Sequence, residues 1–93
     1  MSSELRLDID KETAKGQYSN LAVISHTPTE FLIDFAMTQP QGVAQVVARI
    51  ITNPRHAKAL AYSILDNVRK YEEKYGEIPE IPQSPPRSEG PQA

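Results

Sequence analysis

The chain has no cysteine. Disulfide staples, thiolate metal sites and a cysteine nucleophile are therefore excluded. Its four glycines include an isolated Gly16 and an isolated Gly42, so there is no glycine-rich loop to cradle a phosphate. Aromatics are few, four Tyr and two Phe, which suits a small core and supplies no stacking platform. Neither sign of charge dominates: 10 basic residues stand against 12 acidic ones, a net charge of −2. That is not the footprint of a protein that wraps phosphate backbones. No apolar run approaches the ~18 residues of a membrane span. The opening MSSELRLDID lacks a basic stretch followed by an apolar one, so no signal peptide is expected and the cytoplasm is the expected compartment. At 93 residues the chain has room for one small domain, and small domains without staples often gain stability by association.

What is present is organised around Tyr18 to Met37, which reads as two strands and a tight turn. Ahead of it, residues 4–10 alternate: Leu5, Leu7 and Ile9 point one way and Arg6, Asp8 and Asp10 the other, the pattern of a half-buried edge strand. Residues 11–17 read as a loop with room for one helical turn. Tyr18 to Ser25 is the next predicted strand, and Thr27-Pro28-Thr29 ends it, because proline lacks a ladder donor. Glu30 to Met37 alternates again, with Phe31, Ile33, Phe35 and Met37 on a wholly apolar face. Gln39-Pro40-Gln41-Gly42 is a second turn, and the β-branched run Val43 to Ile51 is a fourth strand, its Ala44, Val46, Ala48 and Ile50 on the inner side.

Asn53-Pro54 then starts a helix, since asparagine caps free amides and proline suits the first helical position. Leu60, Ala61, Ile64, Leu65, Val68, Tyr71 and Tyr75 recur at helical spacing, and Gly76 is a natural stop. Burying Leu60, Ile64, Leu65 and Val68 would yield a gross gain on the order of 10 kcal/mol. Residues 77–93 hold five of the eight prolines and little to bury, the composition of a disordered or extended tail.

The expected fold is therefore α+β: a four-stranded antiparallel β-meander followed by one long C-terminal α-helix packed on one sheet face. It forms a single β-β-β-β-α domain over 1–76, with the tail over 77–93. The helix covers one face and leaves the other bare. Leu32, Asp34, Val43, Val47, Arg49 and Ile51 mark that second face as the candidate oligomer or partner surface, because a small monomer rarely exposes such an apolar patch.

Candidate chemistry is thin. His26 and His56 have no metal-ligand spacing and no third ligand beside them. Ser25 and His26 are strand neighbours that point to opposite faces, so with Asp34 they do not make a triad. Glu30 and Asp34 flank Leu32 on one strand without a cleft to make them a hydrolytic pair. Arg49, Arg55, Lys58, Arg69 and Lys70, with Tyr18 or Tyr62, are the elements of a single-stranded nucleic-acid strip, but Asp66, Glu72 and Glu73 interrupt it. No catalytic, cofactor-binding or metal-binding residue is expected, and no cofactor.

The stretch YSNLAVISHTPTEFLIDFAM, with VVARIITNPRHAKAL and DNVRKYEEKYGEI after it, resembles domain-of-unknown-function family 3467, a family of small bacterial proteins. The likeness covers about residues 4 to 78. It rests most on Tyr18 with Asn20, Ser25-His26, Glu30-Phe31 with Asp34-Phe35, Arg49, and Pro54 with His56-Ala57-Lys58. The resemblance implies no activity and no residue roles. The expected order of four strands and a helix is also the layout of the SecB-type export chaperone, which binds unfolded chains, and of the PUR-type repeat, which binds single-stranded nucleic acid. These are analogies of layout only. The expected function is that of a non-enzymatic, homo-oligomeric binding or scaffold module with a protein or peptide partner. Single-stranded nucleic-acid binding is the alternative.

Overall fold

A computed structural model describes residues 4–81. A short helix α1 (Lys11–Ala14) is followed by β1 (Leu21–His26), β2 (Phe31–Thr38), β3 (Ala44–Thr52) and a long helix α2 (Pro54–Tyr75). The strands form one antiparallel sheet in the order β1-β2-β3.

Each boundary has a local cause. Asp10 caps α1 by accepting hydrogen bonds from the Glu12 and Thr13 amides at 3.1 and 3.3 Å. Asn20 ties the far end of the hairpin: its amide donates to the Ala36 carbonyl, its side-chain Nδ2 donates to Thr38 Oγ1, and the Thr38 amide donates to its Oδ1. At the β1–β2 turn the Thr27 hydroxyl accepts from the amides of Thr29 and Glu30, so Pro28 sits where no ladder donor is needed. The β2–β3 turn closes through Gly42, at φ +85°, whose amide donates to the Gln39 carbonyl. Asn53 accepts from the His56 amide at 2.7 Å to open α2, with Pro54 behind it. Gly76, at φ +105°, closes α2 and donates to the Glu72 carbonyl.

Three expectations are corrected. The sheet has three strands, not four: Leu5, Leu7 and Ile9 pair with nothing among the described residues and are 85%, 85% and 66% exposed. Alternation makes a segment fit for a strand, but a strand also needs an edge to pair with. Here the chain diverts through Asp10 into α1 before any pairing is made.

The long helix does not cover the sheet. No residue of α2 is buried, and inter-element packing is concentrated between neighbouring strands. Asn53 is the whole connection between β3 and α2. It is held extended ahead of Pro54 (φ −91°, ψ 163°), and Thr52 Oγ1 shares a 2.7 Å hydrogen bond with His56 Nδ1 across the junction. One residue so fixed gives the chain no room to turn the helix back over its own sheet. The gain expected from burying the helix is not realised within one copy.

Finally, β3 carries a bulge. Phe35 pairs with Ala48 and Ala36 with Val46, leaving Val47 as the extra residue. Ala44 and Val46 therefore share a face with Asp34 and Arg49 rather than with Ala48 and Ile50. The core that remains is slight. Ile33 and Ala36 are the buried hydrophobic residues, one on each side of the sheet. Of the predicted tail, residues 77–81 are free of helix and strand, and the rest lies outside the described residues.

Candidate functional site

The strand pleat and the pairing register define two faces. On the first, the rows are His26–Phe31–Thr52, Ile24–Ile33–Ile50 and Ala22–Phe35–Ala48. Apart from the end row, where His26 stacks on Phe31 with ring centroids 5.4 Å apart, this face carries no polar side chain between the bulge and the turn. Ile24 and Ile50 are 55% and 48% exposed on either side of the buried Ile33.

On the second face the rows are Ser25–Leu32–Ile51, Val23–Asp34–Arg49 and Leu21–Ala36–Val46. Of the residues expected to mark a partner surface, Leu32, Asp34, Arg49 and Ile51 are gathered here. Val43 lies just before β3, and Val47 is the bulge residue. Val23 belongs to this face as well, together with Val46, which alternation had set on the other side. A bulge without glycine leaves no mark in sequence, so the switch of side at Val46 had no signal to be found by.

Arg49 donates from Nε and Nη2 to the two oxygens of Asp34, at 2.7 and 2.9 Å. This two-pronged pair holds the Asp34 carboxyl below the ordinary carboxylate range and raises the Arg49 guanidinium further. The face is thus an apolar surface with one self-neutralised ion pair at its middle. Its chemistry suits an extended segment or a second sheet.

The basic strip is broken up in the same way. Arg69 and Lys70 both pair with Asp66, whose carboxyl is lowered by those two hydrogen bonds, and Arg49 is committed to Asp34. Ser25 and His26 lie on opposite faces. Among the described residues no group of three or more His, Asp or Glu side chains is placed to hold a metal ion. No helix among them is long and apolar enough to cross a membrane.

The helix presents its own apolar stripe. Ile64, Val68 and Tyr71 line a shallow groove with Ser63, Asn67 and Ile78, the last returned toward the helix by its amide donating to Glu72 Oε2 at 2.9 Å. The Tyr71 and Tyr75 rings lie 4.8 Å apart near its end.

The family described as "Protein of unknown function (DUF3467)" matches residues 1–80 of this chain. No curated protein and no solved structure matches it.

Proposed function

The chain belongs to the DUF3467 family, and we propose that it is a non-enzymatic, homo-oligomeric binding or scaffold module that associates through its sheet. The observation that carries this reading is the amount of surface one copy leaves uncovered. Ile24 and Ile50 on the sheet are 55% and 48% exposed, Ile64 and Leu65 on the helix 55% and 63%, more apolar surface than a small monomer leaves open. The radius of gyration, 16.1 Å, exceeds the roughly 12 Å of a packed domain of this length. A fold with two buried hydrophobic side chains does not hold itself together by the burial one copy provides.

The face bearing Leu32, Asp34, Arg49 and Ile51, with Val23 and Val46, is where an extended peptide would lie, its unpaired backbone N–H and C=O groups able to meet the Asp34–Arg49 pair in a way a helix cannot, as in a SecB-type module. The alternative, single-stranded nucleic-acid binding, has less behind it, because Arg49, Arg69 and Lys70 already neutralise carboxylates. Sedimentation velocity and light scattering across micromolar concentrations test the proposal. A mass of two or more chains is expected, and a stable folded monomer of 10.4 kDa overturns it.

A further inference from the structure

Resting on that homo-oligomeric reading, we infer that the partner on the Ile24–Ile33–Ile50 face is helix α2 of a second copy, so that two chains exchange helices and each sheet is roofed by the other chain. Four observations converge on this arrangement.

First, each copy contains both halves of a helix-on-sheet layer, and neither half is covered. Ile24 and Ile50 stand open on the sheet, and Ile64 and Leu65 are 55% and 63% exposed on the helix. Second, the helix cannot reach its own sheet. The β3–α2 connection is Asn53 alone, fixed by Pro54, by its cap on the His56 amide and by the Thr52–His56 hydrogen bond. Third, the dimensions match. Twenty-two helical residues span about 33 Å, and strands of eight and nine residues span about 26–30 Å.

Fourth, the stripe has the width a sheet requires. Ala57, Ala61, Ile64, Val68 and Tyr75 run along its middle. Leu60 and Leu65 widen it to about 60° on one side and 80° on the other at 3.6 residues per turn. A seam between two helices needs only the narrow central line and would leave both leucines, and the whole sheet face, in water.

The choice of face follows from charge. The opposite face holds Asp34 and Arg49 at its middle, and the stretch of the stripe from Ala57 to Val68 brings no charge to meet them, so a helix laid there would strand the pair from water, whereas Glu72 lies toward the helix end at the stripe's edge. The Ile24–Ile33–Ile50 rows hold no charge, and the small Ala22 and Ala48 beside Phe35 let a helix come close. The exchange leaves the Asp34–Arg49 face free for the partner of the proposed function.

The test uses the wild-type chain. Copies labelled with carbon-13 are mixed with unlabelled copies, refolded together, and examined by isotope-filtered NMR for contacts between chains. Methyl contacts from Ile64 and Val68 of one copy to Ile24 and Ile50 of another are expected. A second measurement exploits the absence of cysteine. Ile50→Cys and Ile64→Cys chains are made separately, mixed, and treated with a short bifunctional thiol reagent. A covalent dimer containing one of each is expected, several-fold above either variant alone. If the protein sediments as a dimer but shows only helix-to-helix contacts, or only contacts within one chain, the helix exchange is overturned while the homo-oligomer stands. If it sediments as a folded monomer, both fall.

Discussion

Asp34 and Arg49 meet face on across β2 and β3, each carboxylate oxygen receiving its own N–H, at 2.7 and 2.9 Å. The pair fixes one row of the sheet, Val23–Asp34–Arg49, and sets the two charges of that row where they cancel. The first prediction follows from its titration.

The folded state holds the Asp34 carboxyl below its ordinary range, chiefly through the Arg49 hydrogen bonds. Asp10 and Asp66 are lowered as well, by the α1 cap and by Arg69 and Lys70. A carboxyl lowered on folding contributes stability that is present above its unfolded value, about pH 4, and is lost as pH falls through the lower folded one. Denaturant midpoints should therefore hold level near neutrality and decline below about pH 4. Asp34→Asn should lower the neutral-pH midpoint and flatten that decline. An unchanged profile would remove the pair from the stability of the sheet.

Ile33 is the large side chain that the sheet buries, at 8% exposure between Ile24 and Ile50. Ile33→Ala should cost about 2–5 kcal/mol, a large share of what a small domain possesses. Urea unfolding followed by circular dichroism measures it. Concentration dependence of the midpoint would show that this loss is felt through assembly.

Asn53 joins two elements and caps one of them, accepting from the His56 amide at 2.7 Å. Asn53→Ala should lower stability by about 1 kcal/mol, and Asn53→Asp should retain most of it. Thermal unfolding of the three proteins side by side decides. Equal melting for the alanine variant would mean the cap is idle.

Gly42 adopts φ +85° in the β2–β3 turn, and an added Cβ would meet nothing within 4 Å. The cost of Gly42→Ala is therefore one of backbone conformation alone, about 1–2 kcal/mol. Gly42→Asn should cost less, since asparagine tolerates this region better than alanine. Melting temperatures in that order, glycine above asparagine above alanine, are the expected result.

Much of the fold was legible because its signals are local. Thr27-Pro28, Gly42, Asn53-Pro54 and Gly76 each act within a few residues, and each marks a boundary that the structure keeps within a residue or two. The segment 11–17, expected as a loop with room for one helical turn, holds α1. The candidate face was legible in part: Leu32, Asp34, Arg49 and Ile51 follow from alternation on β2 and the upper half of β3, whereas Val43 and Val47 do not. An extra residue in a ladder answers to twist and packing between strands, and neither is written at Val47 itself.

The sequence by itself determined the elements: three β-rich segments, their turns, a capped helix and its apolar stripe, and the absence of any thiol or phosphate-loop chemistry. Tertiary structure alone decided how they are used. It left Leu5, Leu7 and Ile9 without a strand partner, turned Val46 to the Asp34 side, and carried α2 off the sheet. Periodicity states which side of an element is apolar, since that depends on spacing along one chain. What covers that side depends on distances between elements, and here a one-residue link at Asn53 sets those distances against closure within a single copy.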